Sequence, residues 1–244
     1  MKYTYAIFII ILSVGCTKEL TVDEIIDSSI EAYGGQKVFN SAIQFDFRDK
    51  HYLTEYHNQR FVLKRTFSDS TGNYIDELTN EGFTRIHNDS LLPLDEEWTG
   101  RYSRSVNSVV YFFRIPFILK DEAVKPELLE PAVINDQNYY KVRVSFSEEG
   151  GGDDFDDSFI YWVNQNNFHI DYFAYSYSTS GGGKRFREAI NPRTIDGFFT
   201  VDYINYKPND MEVEIENYDQ YFLEGGMKEL SRIENKNVSI EYLE

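Results

Sequence analysis

Apolar residues recur along this chain with two different periods, and the changes between them divide it into elements. Val22, Ile25, Ile26, Ile30 and Tyr33 fall at helical spacing. Thr21 stands three residues before Glu24 as a capping box, and Gly34-Gly35 supply a left-handed stop. This predicts a helix whose apolar stripe must cover something. From Ile43 the period drops to two: QFDFR, YLTEYHNQRFVLKRTF, NYIDELT and GFTRIH read as antiparallel strands, with SDSTGN and TNEG as turns.

Helical spacing returns once, in SRSVNSVVYFFRIPF, with Val106, Val109, Val110 and Phe113 on one face and Pro116 as its end. Strands then resume with LLEPAVI, a polar NDQN turn, and YYKVRVSFS. In the last of these Tyr140, Val142, Val144 and Phe146 alternate with Lys141, Arg143, Ser145 and Ser147, the mark of a strand with one wet face. SFIYWV, NQNN and FHIDYFAYSYS form another hairpin, followed by a GGG break, KRFREAI and GFFTVDYINY. MKELSRIE fits a short helix or a strand, and the hairpin-like NKNV between it and SIEYLE favours strands. About ten strands with one helix leading and one inserted mid-chain predict a mainly β (α+β) fold. Its expected form is a strongly curved antiparallel sheet, a half-open barrel with helices over its concave face.

The first sixteen residues carry a different signal. Lys2 precedes an apolar run from Ala6 to Leu12, too short for a bilayer, which needs about 20 such residues. Small residues Ser13, Val14 and Gly15 then lead directly to Cys16, the one cysteine of the chain. A lone thiol in an exported domain forms no internal disulfide, so Cys16 needs another use. The stretch resembles a bacterial lipobox, with Ser13 where leucine is usual. That resemblance implies cleavage before Cys16, a diacylglycerol on its sulfur and an acylated amino terminus such as palmitate provides. At ~0.8 kcal/mol per buried methylene, several acyl chains would anchor the protein stably. The expected organisation is a signal peptide over 1–15, a tether over 16–20 and a single domain over 21–244. The expected location is the cell envelope, lipid-anchored at the outer membrane, with the periplasmic and surface faces both open.

Composition narrows the function classes. Removal of Lys2 with the signal leaves 23 basic residues against 41 acidic ones, a net charge of −18. Such a chain repels nucleic acid and anionic headgroups. Nineteen Tyr and 19 Phe favour strands and apolar pockets over a helical bundle. The motifs HExxH, GxSxG and GxxxxGK[ST] are absent. A carboxylate pair for glycoside hydrolysis is not singled out by any spacing.

The leading EAYGG, the strand hairpins, VVYFFRIPFIL, and DDSFIYWVNQNNFHIDYFAYSY with RFREAINPRTIDGFF resemble an uncharacterised lipoprotein family of Bacteroidetes. That family is similar in architecture to the half-open barrels of LolA/LolB-type lipoprotein carriers. The similarity implies a concave face that encloses acyl chains beneath helical lids, and it transfers no individual cavity residue.

Two clusters could bind something. EEGGGDDFDDSF crowds Asp153, Asp154, Asp156 and Asp157 with Glu148 and Glu149 onto a glycine-rich turn. Calcium takes 6 to 8 oxygen ligands, which such a loop could supply; a solvated hairpin tip is the preferred reading, since like-charge runs are usually exposed. No other cofactor is expected. In GGGKRFREAINPR, Lys184, Arg185, Arg187 and Arg193 concentrate cations in an acidic chain, with Arg185 and Arg187 on one strand face. Guanidinium forks suit a carboxylate or phosphate headgroup, and they also suit surrounding surface acids. The aromatic runs YFAYSYS and IYWV, with Trp162, either line an acyl tunnel or pack the core. Together these features predict a non-enzymatic, monomeric envelope lipoprotein that binds a hydrophobic or amphiphilic molecule. A closed interaction or structural module and a hydrolase with unidentified carboxylates are the alternatives.

Overall fold

The computed structural model describes residues 19–147, 157–178 and 181–244. The first helix, α1 (Val22–Ala32), forms as its capping box dictates. Thr21 N–H donates to Glu24 Oε2 at 2.8 Å, and Glu24 N–H donates to Thr21 Oγ1 at 3.2 Å. Ile25, Ile26, Ser29 and Ile30 are buried beneath it. Gly34 follows with φ of 127°, and a Cβ there would lie 2.7 Å from the Gly197 carbonyl. The stop therefore requires glycine both for its backbone and for its space.

Six strands follow as a meander: β1 (Ser41–Phe47), β2 (Lys50–His57), β3 (Arg60–Asp69), β4 (Gly72–Thr79), β5 (Gly82–His87) and β6 (Ser90–Leu91). The helix α2 (Glu96–Phe113) then carries the chain across to a second meander. Its strands are β7 (Val124–Ile134), β8 (Gln137–Phe146), β9 (Ser158–Asn164), β10 (Ile170–Tyr177), β11 (Gly183–Ile195), β12 (Phe198–Pro208) and β13 (Met227–Ile233). A short helix, α3 (Tyr218–Leu223), lies between β12 and β13, and β14 (Asn235–Tyr242) ends the fold. Asn58-Gln59, Asn88-Asp89 and Asn135-Asp136 make two-residue turns with positive φ at both positions. That geometry matches the twist of the strands it joins.

Every neighbouring pair is antiparallel, in two seven-stranded sheets that do not close on each other. The first has the order β14-β1-β2-β3-β4-β5-β6 and the second β13-β12-β11-β10-β9-β8-β7. The expected mainly β, half-barrel class is observed, with fourteen strands rather than about ten and two sheets rather than one. The split follows from α2, which carries the chain from β6 to β7, and the C-terminus departs from expectation as well. Strands β13 and β14 are separated by Glu234 alone, yet they do not form a hairpin: β13 pairs with β12, and β14 crosses to pair with β1. Asp202 holds this corner, accepting from Asn235 N–H at 2.9 Å and from Arg193 Nη2 at 3.0 Å.

The two helices also differ from expectation. Helix α2 begins at Glu96, about three turns before Val106, the first residue of the visible apolar spacing, because Asp95 caps it by accepting from Trp98 N–H at 2.8 Å. It ends at Phe113, three residues before Pro116. Helix α3 carries no clear periodicity in the sequence. It covers the outer face of the second sheet, where Tyr218 and Phe222 pack on Trp162, Tyr172 and Phe186. The larger core lies on the inner faces, beneath α1 and α2. Among the described residues no helix is long and apolar enough to cross a membrane.

Candidate functional site

Helix α2 spans the trough and leaves space beneath it. Its Val106, Val110 and Phe113 are buried, and Phe113 stacks on Phe45 of β1 with centroids 3.8 Å apart. At its other end the attachment is polar: Arg65 Nη1 donates to Ser105 Oγ at 2.8 Å, and the Arg85 guanidinium lies 3.4 Å over the Tyr102 ring. Both guanidiniums are held by Asp76, which is fully buried. Beside α2, against the inner face of the second sheet, lies a cavity of about 630 Å³. That is within the ~300 to 1,000 Å³ typical of ligand sites.

The walls of this cavity are chemically uneven. Phe112 of α2, Phe146 of β8 and Phe159 of β9 give an aromatic side, with Phe47, Phe113 and Ile118 continuing the apolar surface. Across the second sheet the lining turns polar. Arg187 on β11 stands opposite Asn205 on β12, and Asn205 stands opposite Ser231 on β13, so one row of three strands presents three polar side chains inward. Arg187 Nη2 donates to Tyr175 Oη at 3.0 Å, and Arg185 Nη2 donates to Tyr177 Oη at 2.9 Å. These two rungs run diagonally between β10 and β11, since Arg185 is directly opposite Tyr175. Alternation at period two puts both arginines and both tyrosines on the same face.

Arg187 is 8% exposed, its guanidinium lies 4.0 Å over the Phe112 ring, and its Nε is buried without an acceptor. Asn205 Oδ1 is likewise buried without a donor. Among the described residues neither Arg185 nor Arg187 forms an ion pair, whereas Lys184 lies 3.9 Å from Glu214. Two carboxylates, Asp121 and Asp157, also line the cavity. Burial pushes the Asp121 carboxyl up against the pull of Arg114, while burial draws the Arg114 guanidinium down to about 10. Burial raises the Tyr203 phenol on the floor of the cavity, with the Arg187 charge opposing it.

Sequence expectations divide sharply here. Arg185 and Arg187 do share a face and do reach a cavity. Arg193 does not join them: β11 bulges between Ile190 and Arg193, and Arg193 Nη2 instead reaches Asp202 and the Asn235 carbonyl at the corner between sheets. Asp157 is buried on the cavity wall, while Cys16, Glu148, Glu149, Asp153, Asp154 and Asp156 lie outside the described residues. Among the described residues no group of three His, Cys, Asp or Glu side chains gathers as a metal site. The run YFAYSYS splits between faces, with Tyr175 and Tyr177 lining the cavity and Tyr172 packed outside. Trp162 is buried on that outer face and belongs to the core. The polar partners Asn205 and Ser231 carry no signal of their own; only the register of three strands brings them beside Arg187.

The chain belongs to a family of unknown function, DUF6503, whose profile matches residues 2–235. No curated protein is recognisably similar in sequence. Among solved structures, a LolA superfamily protein from Nitrosomonas europaea is similar with a TM-score of 0.53 at 15% identity, covering 93% of this chain and 96% of that one. A DUF1329 family protein from Desulfovibrio piger aligns with a TM-score of 0.47 at 9% identity, over 91% of this chain and 92% of that one. The likeness to the LolA superfamily is one of fold.

Proposed function

We propose that this DUF6503 protein holds a hydrophobic or amphiphilic small molecule in the cavity beneath α2, while an acylated Cys16 anchors it to the cell envelope. The observation that carries the binding reading is the cavity itself. About 630 Å³ remains open beside a helix that crosses the trough, and its walls are rich in Phe and Tyr rings. A purely structural module would fill such a space with its own side chains, because cores pack to crystalline density. The LolA-like fold supports the reading at the level of architecture. The anchor rests on the lipobox-like LSVGC, and the outer membrane is the proposed location.

Two measurements test this. Native mass spectrometry of protein purified without detergent should show a bound small apolar molecule, removed by organic extraction. A chain that is empty as isolated and takes up no apolar fluorescent probe defeats the binding reading. Cys16→Ala should move the exported protein from washed membranes into the soluble fraction, and retention of that variant in membranes defeats the anchor.

A further inference from the structure

The reading of the cavity as a ligand site leaves open which end of a ligand goes where, and two guanidiniums without an ion pair among the described residues answer it. Resting on that reading, we propose that the ligand is an anionic amphiphile whose single carboxylate or phosphate group binds Arg187 and Arg185, with its apolar part on the rings of Phe112, Phe146 and Phe159. Arg187 is 8% exposed and reaches the cavity wall, yet one phenol hydroxyl is its one hydrogen-bond partner among the described residues. A buried cation is costly unless charge or hydrogen bonds compensate it. The ring of Phe112 at 4.0 Å offsets part of that cost, but a π face does not accept the in-plane N–H bonds of the guanidinium.

In the first sheet and at the corner between the sheets, the protein does supply acids to its arginines. Arg65 and Arg85 share Asp76, and Arg193 has Asp202. The chain has 41 acidic residues, so the lack of an ion pair at Arg185 and Arg187 among the described residues does not come from a shortage of carboxylates. The tyrosine rungs also act on orientation: each phenol oxygen occupies one Nη2, and Arg185 Nη1 further donates to the Lys184 carbonyl at 2.8 Å, so Arg187 has the more open fork. Beside them Asn205 Nδ2 donates to Ser231 Oγ at 3.3 Å, which extends the polar row for a headgroup with more than one oxygen. The carboxylates Asp121 and Asp157 on the same walls select against a second negative charge on the ligand's tail.

The test uses the full chain stripped of endogenous lipid and the neutral probe N-phenyl-1-naphthylamine. Displacement of that probe compares palmitate with palmityl alcohol, which has the same tail without the charge, and dodecyl phosphate with dodecanol. Each anion should compete about ten- to a hundred-fold better than its alcohol, as expected for charge-assisted hydrogen bonds. Arg187→Gln should collapse that ratio toward one. Arg185→Gln, at a half-buried position, gives an independent variant should Arg187→Gln fold poorly, and it should lower the ratio too. Arg193→Gln, outside the cavity, should leave the ratio as it is. Equal competition by acid and alcohol, with the probe still bound, overturns the headgroup and leaves the cavity reading standing. Failure of the probe to bind at all overturns both. Calorimetric binding of inorganic phosphate as tight as that of dodecyl phosphate would assign the site to a free anion and overturn the amphiphile.

Discussion

Each sheet presents a pair of arginines to the space under α2, and the two pairs are treated oppositely. In the first sheet Arg65 and Arg85 are 5% and 6% exposed, and both grip the fully buried Asp76, with Arg65 Nε at 2.9 Å and Arg85 Nη2 at 2.9 Å from one oxygen. In the second sheet Arg187 is nearly as buried, and Arg185 half so, but phenols stand where a carboxylate could. The first pair is complete without a ligand, and it fastens the middle of α2 through Ser105 and Tyr102. The second faces a cavity. The first pair's partner is built into the chain and serves the fold, whereas the second pair's is, on the proposal above, supplied by what enters the cavity.

The strongest way to break this contrast is to remove the built-in partner. Asp76→Asn leaves two guanidiniums buried without their shared charge, so it should cost about 3–5 kcal/mol, read as a lower midpoint in urea unfolding. Replacing all three groups together with Met and Leu of similar volume should recover most of that loss, because the desolvation cost disappears with the charges. A cost below about 1 kcal/mol for Asp76→Asn would place the triad with ordinary surface ion pairs and dissolve the distinction.

How much of this could be read in advance follows the same line. Period-two alternation gave the strands of both sheets, because one face of each is buried in a continuous core. The pair Arg185 and Arg187 was visible for the same reason, two positions apart on one strand. What stayed hidden depends on register between strands far apart in sequence. Arg193 continues the same basic segment, but the bulge after Ile190 turns it toward Asp202 and Asn235, 42 residues away. Asp76 looks like any acid in a hairpin until Arg65 and Arg85 are placed opposite it on both sides. The handover at Glu234 was hidden because a strand leaving for another sheet has the same local pattern as one turning back.

A second, smaller effect sharpens the contrast through pH. Tyr161 and Tyr203, on the inner face of the second sheet, have phenols raised by burial even though the Arg187 charge pulls them down. An unfolded phenol ionises near pH 10, while the folded one keeps its proton above that value. The unfolded chain therefore binds fewer protons above pH 10, and stability present below pH 10 is lost as pH rises from there toward the folded value. Each such tyrosine contributes about 1.4 kcal/mol per pH unit to that loss. Arg114 works the other way: burial draws its folded guanidinium down to about 10, below its ordinary range, so it adds stability as pH climbs past that value. With several buried phenols against one guanidinium, stability should fall from pH 10 upward. Tyr203→Phe should flatten the fall by about 1 kcal/mol in total between pH 9.5 and 11, read in urea melts. An unchanged slope would mean that this phenol titrates alike in both states.

The smallest expected effect tests the rungs that hold the second pair. Gly183 stands opposite Tyr177, and its backbone is not in the left-handed region, so space alone explains the glycine. A Cβ there would lie 2.6 Å from Tyr177 Oη and 3.1 Å from Arg185 Nη1. Gly183→Ala should therefore push the phenol off Arg185, at a cost of about 1 kcal/mol, since the atom displaced is the tip of a flexible side chain. For a chain of this size that is a fall in Tm of about 2–4 °C. In a Tyr177→Ala background the same substitution should cost nothing, because the crowding atom is gone, and the double-mutant cycle then reports the contact directly. Additive costs would show that Tyr177 does not lie over Gly183, and the orientation it gives to Arg185 would have to come from another group.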